Sequence, residues 1–325
     1  MAVVVLASVR SCGTTTSAVA LAGTWPPARK VVLVELDPAG GTLAASSGWA
    51  AEPSLVTLAA AARRTSDPEA IWAHCQRLPG GAAVLAAPVA AEQARSATRM
   101  LPGLPGRLDE LDADVLVDAG RFDPMAALPG AVMGASRLVL CARPRLSDLH
   151  ALAAFLDAGP GEGLLEAGRL GLVVVGDGPY RDAEIADALG VGVLGRLPWD
   201  EGAAERLATI PASDRRLRLS PLVRAARSLA TALAADVVHA PEAVAASGHD
   251  EAAPPSRRQG RRLLRPFGVP SVAGTAGADG VRRDLGIAAG STDGDGALGA
   301  GALGVGAGVN GRLMNGSASG EEAAR

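Results

Sequence analysis

Aromatic side chains are almost missing from this chain, with four Trp, three Phe and one Tyr in 325 residues. A core without them has to be filled by Val, Leu, Ile and Ala. That suits strands buried on both faces beneath helices rich in Ala and Leu, the pattern of a parallel sheet. Lysine is rarer still: Lys30 stands alone against thirty arginines. Together with the abundance of Ala and Gly, this skew reads as GC-rich codon usage rather than as a phosphate-binding surface. A positive excess is also lacking, since the net charge is -3 and the pI about 5.9, so no global basic field draws in nucleic acid and any DNA contact would need a local patch. Cysteine is scarce. Cys12, Cys75 and Cys141 are odd in number and lack metal-ligand spacing, which points to buried thiols in a reducing cytoplasm. No apolar run reaches the ~18 residues of a membrane span, and Met1 to Leu6 is too short and has no basic start for a signal peptide. The expected location is therefore cytoplasmic, with peripheral membrane contact as the alternative.

What is present is a recurring rhythm of short apolar runs with helical stretches between them, as in an α/β fold. Strands are expected at 2–7, 31–36, 82–87, 114–118, 137–142, 170–175 and 191–195. Helices are expected at Ser17–Ala22, Leu55–Arg63, Pro68–Gln76, Ala90–Met100, Leu146–Leu156 and Asp182–Leu189, with a last amphipathic one at Pro221–Ala235. Trp25-Pro26-Pro27 ends the first helix, because proline cannot continue it. After about Pro241 the composition turns to Gly, Ala, Ser, Asp and Arg, which cannot bury enough apolar surface to offset ordering entropy. The expected organisation is a doubly wound, mostly parallel sheet flanked by helices over 1–240, followed by a disordered tail over 241–325.

Three strand ends carry chemistry. The first strand runs into Val9-Arg10-Ser11-Cys12-Gly13-Thr14-Thr15-Thr16 and then a helix, a layout in which backbone N–H groups and a helix N-terminus receive phosphate. The second reads Val31-Val32-Leu33-Val34-Glu35-Leu36-Asp37-Pro38-Ala39-Gly40-Gly41, with acids at the carboxyl edge where α/β sheets bind ligands. In the third, Asp114-Val115-Leu116-Val117-Asp118-Ala119-Gly120, an apolar run delivers a carboxylate. Each has a plainer reading, respectively a Ser/Thr helix start, an Asp-Pro turn and a strand-end cap.

In their order, these three segments resemble the MinD/ParA group of deviant P-loop ATPases, over about residues 1–238. That family's loop reads K-G-G-x-G-K-[ST]-[ST]. Gly13, Thr15 and Thr16 match it, and Thr14 takes the P-loop lysine position. In the ungapped register Val9 takes the place of the signature lysine, while Arg10 and Ser11 replace the early glycines; with one residue deleted, Arg10 takes the signature place. The resemblance implies that Asp37 orients the attacking water and helps organise magnesium. It also implies that Asp118, on a Walker B-like strand, holds the magnesium shell with the Thr15 hydroxyl. Arg10, Gly13, Thr14, Thr15, Thr16 and Asp118 would line the nucleotide site, with Pro198 in the loop Gly195-Arg196-Leu197-Pro198-Trp199-Asp200 that closes the base pocket in relatives. Glu35 stands where the family usually has its first Asp. Gly176-Asp177 stands where relatives commonly carry a base-contacting Asn.

The implied cofactors are ATP and Mg2+. The implied role is that of a spatial regulator or assembly factor in septum placement, chromosome partitioning or pilus assembly, with protein partners from such a division, partition or secretion apparatus and a homodimer as one arrangement. A Thr at position 14 supplies neither the charge nor the reach of lysine, so weak or absent hydrolysis is expected. The alternatives are an active ATPase using Arg10 and Asp37, and a nucleotide-independent interaction module. His74, His150, His239 and His249 stand isolated and suggest surface or core roles. The basic cluster at 257–267 reads first as a solvated linker, with contact to anionic lipid or nucleic acid as the second reading.

Overall fold

The computed structural model describes residues 2–122, 134–159 and 162–238 of the chain. The expected tail at 241–325, the basic cluster at 257–267, His239 and His249 lie outside the described residues.

One sheet of eight strands organises the described residues: β1 (Val3–Ser8), β2 (Val31–Glu35), β3 (Gln76–Arg77), β4 (Ala83–Leu85), β5 (Asp114–Arg121), β6 (Arg137–Ala142), β7 (Leu170–Val175) and β8 (Val193–Leu197). Their order is β3-β4-β2-β5-β1-β6-β7-β8. β3 pairs antiparallel with β4, and all other pairings are parallel. The sheet is buried on both faces, and the alternation within β1 shows how. Val3, Val5 and Ala7 enter one core and Val4 and Leu6 the other. The first core is closed by α3 (Leu55–Ala61), α4 (Ala91–Arg99) and α6 (Leu146–Asp157), through residues such as Leu58, Ala97 and Phe155. The second is closed by α1 (Thr14–Thr24), α9 (Glu201–Leu207) and α10 (Pro221–Val238), through Leu21, Leu207 and Val223. Leu and Val do the filling here, each contributing about 1.5–3 kcal/mol when fully buried. Phe122 and Phe155 supply one stacked aromatic pair, 5.8 Å between centroids.

The expected strands are all present, with ends shifted by a few residues, and the antiparallel β3 was not expected. Its two residues are too few to carry a period. The stretch expected to be helical at 68–76 is a 3-10 helix, Pro68–His74, capped by the Asp67 side chain. Short helices α2 (Leu43–Ser46), α5 (Leu104–Asp109), α7 (Glu162–Glu166) and α9 add to the expected set, and α8 (Asp182–Leu189) has the bounds expected of it. In α5 the sequence contains Pro105 and Gly106, poor helix formers, and the turn is held by burial of Leu104 and Leu108 four positions apart.

Position in the sheet decides which residues meet. At the amino edge, the buried Asp114 carboxylate accepts the Ala2 N–H (3.1 Å) and Trp25 Nε1–H (2.9 Å) and pairs with Arg29, which anchors the end of α1. At the carboxyl edge, β1 lies between β5 and β6, so that Leu6 sits beside Asp118 and Ser8 beside Cys141. Asp118 in turn lies beside Glu35 of β2.

Candidate functional site

The loop after β1 ends at Gly13, whose φ of 90° lies in the left-handed region that side chains disfavour. α1 begins at the next residue. No side chain caps it and its first turn carries no acid, so its N–H groups and positive dipole end stay available to an anion. The Gly13 carbonyl starts the helical ladder, accepting both the Ser17 N–H and the Ser17 hydroxyl at 2.9 Å. Thr14 is buried, with Oγ1 3.9 Å from Cys12 Sγ. The residue at the lysine position is thus turned into packing. Thr15 and Thr16 are half-buried, and Arg10 and Ser11 are exposed.

Beside this helix start lie two carboxylates. Asp118 is fully buried, its Oδ1 accepts the Gly120 N–H at 3.0 Å, and its Oδ2 has no hydrogen-bond partner. Burial pushes its carboxyl up to about 6; the nearby Thr15 hydroxyl and the Gly120 N–H favour the charged form, and Asp37 opposes it. Asp37 opens a tight turn, with its Oδ1 accepting the Ala39 N–H (2.7 Å) and its carbonyl accepting the Gly40 N–H (3.0 Å). Partial burial raises its carboxyl, and Arg121 draws it back down. The two acids approach because residue 120 is glycine: with φ +61°, a Cβ there would fall 2.1 Å from Asp37 Cγ. Thr15, Asp37 and Asp118, separate in sequence, therefore come together.

Glu35 has a different duty. It is buried and accepts the Thr42 (2.7 Å), Leu43 (3.2 Å) and Ala87 (3.0 Å) N–H groups, pinning the two loops that follow β2 and β4. Burial lifts its carboxyl to about 6, against the pull of those three bonds.

On the other side of the α1 start is a cavity of about 90 Å³, bordered by Gly13, Thr16, Val175, Pro198 and Trp199 among others. Pro198 and Thr16 thus share a wall. The β7–α8 loop is tied to β8 by Arg196, which donates to Gly176 O (2.8 Å) and pairs with Asp182. Trp199 is half exposed, and the Arg143 guanidinium lies over its ring at 4.4 Å from the centroid. Trp199 belongs to the loop 195–200 that the sequence brought forward, whereas Arg143 is not singled out by sequence pattern. The available signal for Arg143 is its place just beyond a buried strand, in Arg143-Pro144-Arg145.

The residues present fit a hydrated divalent cation bound with a phosphate. A buried orphan carboxylate oxygen, a second carboxylate and a hydroxyl are hard oxygen donors of the kind magnesium takes, beside phosphate oxygens. Among the described residues no group of three or more His, Cys, Asp or Glu forms a metal cage, so such a cation would depend on Thr15 and the phosphate as well. No described helix is long and apolar enough to cross a membrane.

No family model and no curated protein matches the sequence. Solved structures do. A ParA family ATPase from Chlorobium tepidum is similar at 17% identity over 71% of this chain and 98% of its own, with a TM-score of 0.59. The cell division ATPase MinD of Pyrococcus furiosus is similar at 21% identity over 72% and 99%, TM-score 0.55. The septum site-determining MinD of Pyrococcus horikoshii, complexed with Mg-ADP, is similar at 17% over 74% and 99%, TM-score 0.53. At such identities the likeness is one of fold, and the described part of this chain has the fold of the ParA and MinD ATPases.

Proposed function

We propose that this protein is a MinD/ParA-like spatial regulator or assembly factor, acting in septum placement, chromosome partitioning or pilus assembly, that keeps weak magnesium-dependent ATP binding and hydrolyses ATP slowly. One observation carries the reading: the buried, unpartnered Asp118 Oδ2 beside the Thr15 hydroxyl at an uncapped helix start. Burying a carboxylate oxygen without a partner is costly, and a bound cation gives it one. A relative of the same fold is described in complex with Mg-ADP.

In this reading the N–H groups of Gly13 and the first turn of α1 receive phosphate oxygens. Thr15, Asp118 and Asp37 hold Mg2+, which when bound supplies charge neutralisation at the phosphates. Asp37, less buried than Asp118, orients water. Thr16 and Pro198 border the space for the rest of the nucleotide. What is missing is the lysine. Loss of one strong transition-state donor costs on the order of 100- to 1,000-fold in rate, and Thr14 faces Cys12 rather than the open site. Proteins of a division, partition or secretion apparatus are then the partners, and the nucleotide acts as an effector more than as a fuel.

Calorimetry with Mg-ATP and a steady-state phosphate-release assay test this together. Weak binding that requires magnesium, with turnover far below that of lysine-bearing relatives, is the expected result. Fast turnover lost in Asp37→Ala would replace it with a working ATPase. Absence of binding in both the wild type and Thr14→Lys would leave a pure interaction module.

A further inference from the structure

The loop that should neutralise phosphate has no cation at its lysine position. Thr14 is buried against Cys12, and Arg10 is exposed. We propose that Arg143, at the end of the neighbouring strand β6, supplies that charge to the phosphates, an inference that rests on the nucleotide-binding reading above.

Register places it there. β6 pairs with β1 so that Cys141 lies beside Ser8, and Arg143 emerges two residues later next to the loop Val9–Gly13. Its charge is felt by the Cys12 thiol within that loop. The backbone at this point is held closely, since a Cβ on Gly178 would fall 2.3 Å from Pro144 O, the residue after Arg143. The guanidinium lies over the Trp199 ring, 4.4 Å from its centroid.

The manner of holding matters as much as the place. Stacking on an aromatic face uses the flat of the guanidinium and leaves its in-plane N–H donors unspent. Of these, Nε is buried and has no hydrogen-bond partner. A buried, unsatisfied cationic donor beside an uncapped helix start is what an anion would satisfy. Asp118 Oδ2 is the matching orphan of opposite sign on the other side of α1's first turn. The two together mark the ends of a site for a magnesium-bound phosphate chain, with the cation role moved from the loop to the adjoining strand. Arg suits this better than Lys, because its fork can bind two phosphate oxygens at once.

The test uses the full chain, with Mg-pyrophosphate and Mg-ATP as separate probes in calorimetry. Arg143→Gln should weaken both by a similar factor, about 10- to 100-fold, the range for a charge-assisted hydrogen bond. Arg143→Lys should recover part of the loss. Arg145→Gln, on the exposed neighbour, should bind as the wild type does. If Arg143→Gln fails to fold, Trp199→Ala makes the same test, because removal of the shelf should weaken pyrophosphate binding by a smaller factor. Unchanged affinity for pyrophosphate in Arg143→Gln, or in Trp199→Ala where that variant stands in, overturns the proposal and leaves the nucleotide reading standing. A loss confined to ATP also overturns it, since Arg143 would then serve the base side. Failure of the wild type to bind either probe removes both readings.

Discussion

Replacing Asp118 with Asn should make the ligand-free protein more stable at neutral pH while removing magnesium-dependent binding. The Asp118 carboxyl is raised from an ordinary 3.8 to about 6, chiefly by burial. A raised acid binds its proton more tightly in the folded chain than in the unfolded one. Stability on this account is greatest below the unfolded value, falls as pH rises from about 4 to about 6, and stays low above that. The full difference of about two units corresponds to ~3 kcal/mol; of this, about 1 kcal/mol is regained at pH 5 and about 2 kcal/mol at pH 4. Glu35 is also raised to about 6, chiefly by burial and only in small part by the Asp118 charge, so comparing wild type with variant removes most of its contribution. Asn keeps an oxygen for the Gly120 N–H and carries no charge. Urea unfolding in EDTA at several pH values should therefore show the wild type gaining stability from about pH 8 to about pH 5, and Asp118→Asn gaining less by about 1 kcal/mol. Acid unfolding driven by other carboxylates affects both curves and cancels. Parallel pH dependences in the two proteins would refute the argument that this buried carboxylate is held at a cost for a cation.

Other consequences are sharper in sign than in size. Gly120→Ala should reduce magnesium-dependent nucleotide binding and lower the melting temperature, because its Cβ would meet Asp37 and a φ of +61° costs a side chain on the order of 1–3 kcal/mol; a normal melt with normal binding would show that Asp37 need not lie where it does. Gly41→Ala should destabilise more severely, since its Cβ would fall 2.4 Å from Ala87 O and 2.5 Å from Glu35 Oε2, and a melting curve unchanged from wild type would contradict that packing. Thr14→Lys should tighten Mg-ATP binding, read by calorimetry, because it returns a cation to a loop whose other parts remain. Truncation after Ala240 should leave the melting temperature of 1–240 unchanged, as a tail without core-facing periodicity implies; a fall of several degrees would move that boundary.

The sequence by itself determined the sheet and its dressing. Runs such as Val31 to Val34 and Leu170 to Val175 are continuous and apolar because both faces of a parallel strand are buried, and that composition is visible without coordinates. The acids that follow, Asp37 and Asp118, were legible for the same reason, since the carboxyl ends of such strands converge on one edge. Strand order was left to the tertiary structure. Only the placement of β1 between β5 and β6 brings Asp118 to the α1 start from one side and Arg143 from the other. Tertiary packing also separated Glu35 from Asp37, two residues apart in sequence. Three backbone donors enclose Glu35 within the loop framework, while Asp37, beyond the end of β2, is left half open beside Gly120 by the turn at Pro38. Likewise the missing loop lysine was evident in the letters Gly13-Thr14-Thr15. Its candidate replacement lies 129 positions along the chain from Thr14, a separation that local pattern cannot bridge and hydrogen-bonded neighbouring strands can.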